Sequence, residues 1–255
     1  MILEQFDSNK TAFINPWNMI EPVKDMPKVA VACYAYTTFD RMIQRLHAEQ
    51  IATTSTANGI KPIYKANYKG VEIGLFMLDV GASMSAALME DVYQMGVDTM
   101  IIFGTYGVLD GAIEDCSIII PNSAVRDEGT SYHYMKSSDE IEVNENYIEM
   151  FKEMLEEYRI HYTEGKVWTT DSIYRETQDK ITARKNQGCI CVDMECSANA
   201  AVAKFREKNL FQFFYAADNL DSEEWDVRSL SNEDKLEEKD KSAYIALEFA
   251  KRLAE

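Results

Sequence analysis

Residues 189–218, CICVDMECSANAAVAKFREKNLFQFFYAAD, set two short apolar runs on either side of a segment with helical periodicity. The runs at 189–193 and 210–217 are apolar almost throughout, the pattern of strands covered on both faces. Between them, 195–208 reads as a helix. A strand that offers no polar face to water needs cover on each side, so this stretch points to a layered α/β arrangement.

The same alternation extends outward. Residues 28–34 (KVAVACY), 99–103 (TMIIF), 116–121 (CSIIIP) and 166–170 are further strand signals. Helices are expected at 37–49, 83–95, 145–158, 173–186 and 235–253. Strands at 63–68 and 71–79 flank Lys69-Gly70, which suggests a hairpin and makes the sheet mixed. The prediction is α/β: a single domain over 28–255, with a central mixed β-sheet flanked by helices on both faces. Residues 1–27, carrying Pro16, Pro22 and Pro27, read as an N-terminal arm. No internal repeat or linker stands out.

A chain of 255 residues is long enough for one substantial core. Its net charge of −17 opposes nucleic acid and anionic membrane surfaces, which require a basic footprint. The acids between Asp221 and Asp240 read as a solvated loop and helix face. The five cysteines, Cys33, Cys116, Cys189, Cys191 and Cys196, form no CxxC pair and fit buried free thiols in a reducing compartment. No secretory leader and no run of ~20 apolar residues appears, so a cytoplasmic protein is expected. No metal and no organic cofactor is implied.

In open α/β sheets, ligands gather at the carboxyl ends of strands. Four such ends carry informative residues: Val80-Gly81-Ala82-Ser83, Gly104-Thr105-Tyr106-Gly107, Asp193-Met194-Glu195 and Asp218-Asn219. The first two read as small-residue turns. A glycine turn opening a helix can cradle an anion with backbone N–H groups, and Gly81 with the Thr105 hydroxyl fits that use; backbone geometry alone would also explain the glycines. Glu195 either caps a helix or reaches a ligand, and Asp218 either closes a turn or sits at a functional rim. GxGxxG, the P-loop, HExxH and GxSxG are all absent, and His47, His133 and His161 stand alone.

Taken together, five segments in order resemble the nucleoside phosphorylase-I superfamily. They are 103–109 (FGTYGVL), 118–134 (IIIPNSAVRDEGTSYHY), 169–176 (TTDSIYRE), 192–198 (VDMECSA) and 217–220 (ADNL). The resemblance implies phosphorolysis, in which a nucleoside and phosphate give free base and pentose-1-phosphate. Inorganic phosphate would be a co-substrate, and the assembly a homo-oligomer. By analogy Met194 packs on the ribose and Glu195 accepts from its hydroxyls, while Gly81 and Thr105 bind phosphate. Asp218 protonates purine N7, Ile173 contacts the base, and Arg228 supports the acid. The chain departs from the family at two places. Ile102 and Phe103 stand where an arginine usually precedes the Gly-Thr turn, and 34–41 (YAYTTFDR) lacks the usual Gly-Asp-Pro turn, leaving Arg41 as the candidate phosphate ligand. Ile173 replaces an aromatic of the uridine-cleaving members. A water-using nucleosidase, a uridine phosphorylase and a non-catalytic nucleoside binder are the alternatives.

Overall fold

The computed structural model describes residues 1–231 and 233–255. Its strands are β1 (Val29–Cys33), β2 (Glu49–Thr56), β3 (Gly59–Tyr68), β4 (Val71–Met77), β5 (Thr99–Val108), β6 (Ile118–Asp127), β7 (Glu140–Glu142), β8 (Tyr162–Thr170), β9 (Cys189–Asp193) and β10 (Asn209–Asn219). The helices are α1 (Pro16–Met19), α2 (Tyr36–Arg45), α3 (Ala82–Met95), α4 (Ile148–Glu157), α5 (Gln178–Asn186), α6 (Cys196–Arg206) and α7 (Leu236–Ala254).

All the strands belong to one mixed sheet, ordered β10-β6-β8-β9-β5-β1-β4-β3-β2, with β7 attached to β6. β10 also pairs with β5, so β5, β10, β6, β8 and β9 close into a ring and the remaining strands form an open wing. Alternation along the strands assigns side chains to opposite faces. Val29, Val31, Ile101, Phe103, Phe211 and Phe213 meet residues of α2, α4 and α7. Ala30, Ala32, Met100 and Ile102 meet α3 and α6. The expected single domain with a mixed sheet and helices on both faces is the observed architecture.

Several boundaries differ from the sequence reading, each for a local reason. Gly104-Thr105-Tyr106-Gly107 is not a turn but the second half of β5. The glycines are there for close approach: a Cβ on Gly104 would lie 3.0 Å from the Tyr34 ring, and one on Gly107 would lie 2.7 Å from Leu220 Cδ1 and 3.1 Å from both Asp218 Oδ1 and Val192 Cγ1. The helix expected at 173–186 is broken into a 3-10 turn, Ile173–Arg175, and α5. Thr177 is extended and its side chain caps α5 by accepting from the Lys180 amide. β2 has no apolar run because it is a half-exposed edge strand. The helix expected to reach residue 49 stops at Arg45, and His47 takes a left-handed φ of 49°.

Gly107→Ala should destabilise the fold by roughly 1–3 kcal/mol, because Leu220 and Val192 would have to retreat from the new methyl. A lowered urea midpoint would register this; an unchanged one would show that both side chains give way freely.

Candidate active site

The closed ring brings three strand ends together. Gly107 of β5 lies opposite Val192 of β9, and Val108 lies beside Asn219 of β10. The β10–β5 register slips by one residue between Ala216 and Asn219. Such a bulge turns a side chain away from its regular alternation, and here it lies at Ala217-Asp218.

A chamber of about 190 Å³ opens at this point, lined among others by Tyr34, Thr105, Gly107, Met194, Glu195 and Asp218. It joins a larger chamber of about 520 Å³ whose walls include Ile181, Leu220 and Trp225. Ile173, Glu176, Asp218 and Leu230 line both, so two apolar and two carboxyl side chains frame the neck between them.

The acids are each held differently. Asp193 caps α6: its Oδ2 accepts from the amides of Glu195 (3.0 Å) and Cys196 (2.6 Å), and its Oδ1 from the Thr169 hydroxyl (2.7 Å). Glu195, buried beside it, accepts from the Gly81 amide at 2.5 Å. Burial and then the neighbouring Asp193 charge push Glu195 above the usual carboxylate range. Burial also raises Asp193, against the pull of its three donors. Asp218 accepts from the Trp225 indole at 2.8 Å. Burial raises its pKa, and the Trp225 hydrogen bond and Arg228 charge oppose the rise. Glu176 is pushed up to about 7, by burial first and then by the charges of Asp218 and Asp193.

Below the chamber lies a buried polar network. Tyr34 Oη is 2.9 Å from Ser85 Oγ and accepts from Asn199 Nδ2 at 2.9 Å; Asn199 Nδ2 also donates to Gln212 Oε1 at 3.0 Å. It ties the segment just after β1 to α3, α6 and β10 beneath the site.

Of the residues expected to act, Thr105, Ile173, Met194, Glu195 and Asp218 meet around one cavity. Gly81 is adjacent, with φ +105° at the start of α3, but its N–H is already given to Glu195 rather than left for an anion. Arg41 is a correction: it is not among the residues lining either chamber, and its guanidinium is bound through Nε (3.1 Å) and Nη2 (2.5 Å) to Asp240 of α7. Arg228 donates to the Ile113 carbonyl at 2.8 Å and pairs with Asp226, so it acts on Asp218 through space only. Sequence reasoning did not single out Tyr34, Glu176 or Trp225. Tyr34 directly follows the first strand, where a strand-end rule could have found it. Among the described residues, no cluster of three or more His, Cys, Asp or Glu is arranged to hold a metal ion.

Comparison with known proteins adds to this geometry. Residues 37–255 match the phosphorylase superfamily. A uridine phosphorylase of Thermococcus kodakarensis is 31% identical over 111 residues, 44% of this chain and 40% of that protein. A 5'-methylthioadenosine/S-adenosylhomocysteine nucleosidase of Buchnera aphidicola is 28% identical over 151 residues, 55% of this chain and 64% of that one. The matches thus span less than two thirds of either relative's length. The structure of a purine nucleoside phosphorylase from Toxoplasma gondii, in complex with immucillin-H, superposes with a TM-score of 0.76 at 14% identity, covering 91% of this chain and 97% of the other. With a family match across most of its length, the chain belongs to the phosphorylase superfamily.

Proposed function

We propose that this chain cleaves the N-glycosidic bond of a purine nucleoside. The observation that supports this most is the meeting of Met194, Glu195 and Asp218 at one chamber whose neck has apolar walls and carboxyl edges. A nucleoside has the matching form. Its sugar hydroxyls find an acceptor in Glu195, the flat base lies against Ile173 and Leu230, and its edge meets Asp218. In the reaction the glycosidic electron pair leaves with the base, and the Asp218 proton passes to N7. The anomeric carbon, then cation-like, is captured by an oxygen nucleophile. Burial raises the Asp218 carboxyl above its ordinary value, the direction that a general acid requires.

The nucleophile divides the proposal. Phosphate, yielding pentose-1-phosphate, is the reading that the family resemblance supports. Water, yielding free pentose, is favoured by one specific observation: among the described residues, no Lys, Arg or His lines the inner chamber, while Glu176, Asp193, Glu195 and Asp218 do. A phosphate dianion there would face acids without a counter-charge from this chain. A neighbouring subunit of a homo-oligomer would then have to supply one.

Base release from inosine, adenosine, guanosine and uridine, with and without phosphate, tests the reading directly. Release of purines with pentose-1-phosphate, only when phosphate is present, establishes phosphorolysis; release with free ribose establishes hydrolysis; no release from any of them overturns the enzyme reading. Asp218→Asn should lower kcat by about 10²–10⁴-fold with KM little changed. Arg41→Ala should leave the phosphate dependence as it is in the wild type, because its guanidinium is tied to Asp240.

Glu176 generates a stability prediction. The folded chain holds its proton more tightly than the unfolded chain does, so stability falls as pH rises from the ordinary carboxylate range through about 7. Glu176→Gln should therefore be more stable than wild type at pH 8 by roughly 1 kcal/mol, a value discounted for partial solvent exposure, and no more stable at pH 4. Urea melts at the two pH values check it.

A further inference from the structure

Asp218 is the last but one residue of β10, and the chain beyond it folds straight back. The Asn219 amide donates to the Asp226 carbonyl at 2.8 Å and the Asp226 amide to the Asn219 carbonyl at 3.2 Å, closing residues 219–226 into a loop. Asp221 anchors that loop by accepting from the Gly111 amide at 3.0 Å and by pairing with Lys185. Trp225 directly precedes the closing residue, and its indole N–H reaches Asp218 Oδ2 at 2.8 Å.

The indole is 60% exposed, so burial does little to hold it in place. Its single N–H is a donor without an acceptor counterpart, and Asp218 is what it donates to. The other carboxyl oxygen, Oδ1, lies over Gly107, 3.1 Å from where a Cβ would stand, and Gly107 lines the inner chamber. A carboxylic acid whose one oxygen accepts from an indole carries its proton on the other. That oxygen is Oδ1, on the chamber side.

We propose that Trp225 is a positioning residue for glycosidic cleavage: its indole N–H fixes the Asp218 carboxyl so that the proton resides on Oδ1 and faces the base. This rests on reading Asp218 as the general acid. The indole also favours the charged form of Asp218, so it governs the pH at which the acid gives up its proton. The other charged groups facing Asp218 are Glu176 just after the 3-10 turn, Asp193 at the end of β9, Glu195 at the start of α6, and Glu223, Asp226 and Arg228 from the following loop.

The test uses the full chain and two variants, Trp225→Phe, which keeps an aromatic wall without the donor, and Trp225→His, which keeps an N–H. Trp225→Phe should lower kcat about tenfold with a smaller effect on KM, a fraction of the full general-acid contribution. It should also move the alkaline limb of the kcat profile upward by about one pH unit, because the contact that favours the carboxylate is gone. Trp225→His should bring the limb back toward wild type. A Phe variant with wild-type kcat and limb, or one altered in KM alone, would overturn the proposal and leave the indole as a wall. If Asp218→Asn turns over like wild type, the general-acid reading itself fails, whatever Trp225 does. Carboxyl-carbon NMR titration of Asp218 gives a readout that needs no substrate: a higher pKa in Trp225→Phe supports the contact, and an unmoved one refutes it.

Discussion

The structure depends on the placement of β10. This strand pairs in parallel with β5 and antiparallel with β6, and so turns an open sheet into one that closes on itself through β8 and β9. Its outer half is among the most apolar stretches of the chain, with Phe211, Phe213, Phe214 and Tyr215 all buried. Phe211 and Phe213 pack against Phe151 of α4 at ring separations of 4.6 and 4.9 Å. Burial of these rings holds the strand rigid, and its bulged end at Ala217-Asp218 delivers an acid to the mouth of the ring. Without closure, the ends of β5, β9 and β10 would not share a chamber.

That chamber concentrates acid where burial makes charge costly. Asp193 accepts from three donors at the start of α6, and its role is architectural: it fixes the turn that presents Met194 and Glu195. Glu195, Glu176 and Asp218 have fewer partners, and each has its proton affinity raised mainly by burial. Acids that cannot ionise freely are suited to protonating a leaving group near neutrality.

The support beneath the chamber is polar and fully engaged. Tyr34, Ser85, Asn199 and Gln212 link four elements through a short chain of hydrogen bonds, and Gln212 is further held by Asn144, whose amide donates to the Gln212 carbonyl at 2.7 Å. Polar groups buried this deeply are costly unless satisfied, so each partner constrains the others. The result is a floor that specifies how α3 and α6 sit against the sheet, and with them Gly81 and Glu195.

The sequence by itself determined the layering. Uninterrupted apolar runs at 28–34, 99–103, 189–193 and 210–217 require cover on both faces, and the helices between them supply it. It also placed Met194, Glu195 and Asp218 at strand ends, because chemistry in such sheets collects there. What only the tertiary structure decided is which distant residues face one another. Gly104 and Gly107 read as a turn because a glycine's local freedom is visible in sequence, whereas the Tyr34 ring and the Leu220 side chain that exclude a Cβ are not. Arg41 looked available because Asp240, its partner, lies 199 residues away. Trp225 carries no periodic signal, since its partner is set by a loop closed at Asn219 and Asp226 rather than by a helix or strand. Local periodicity reports whether a side chain is buried; strand pairing across the closed ring decides against what.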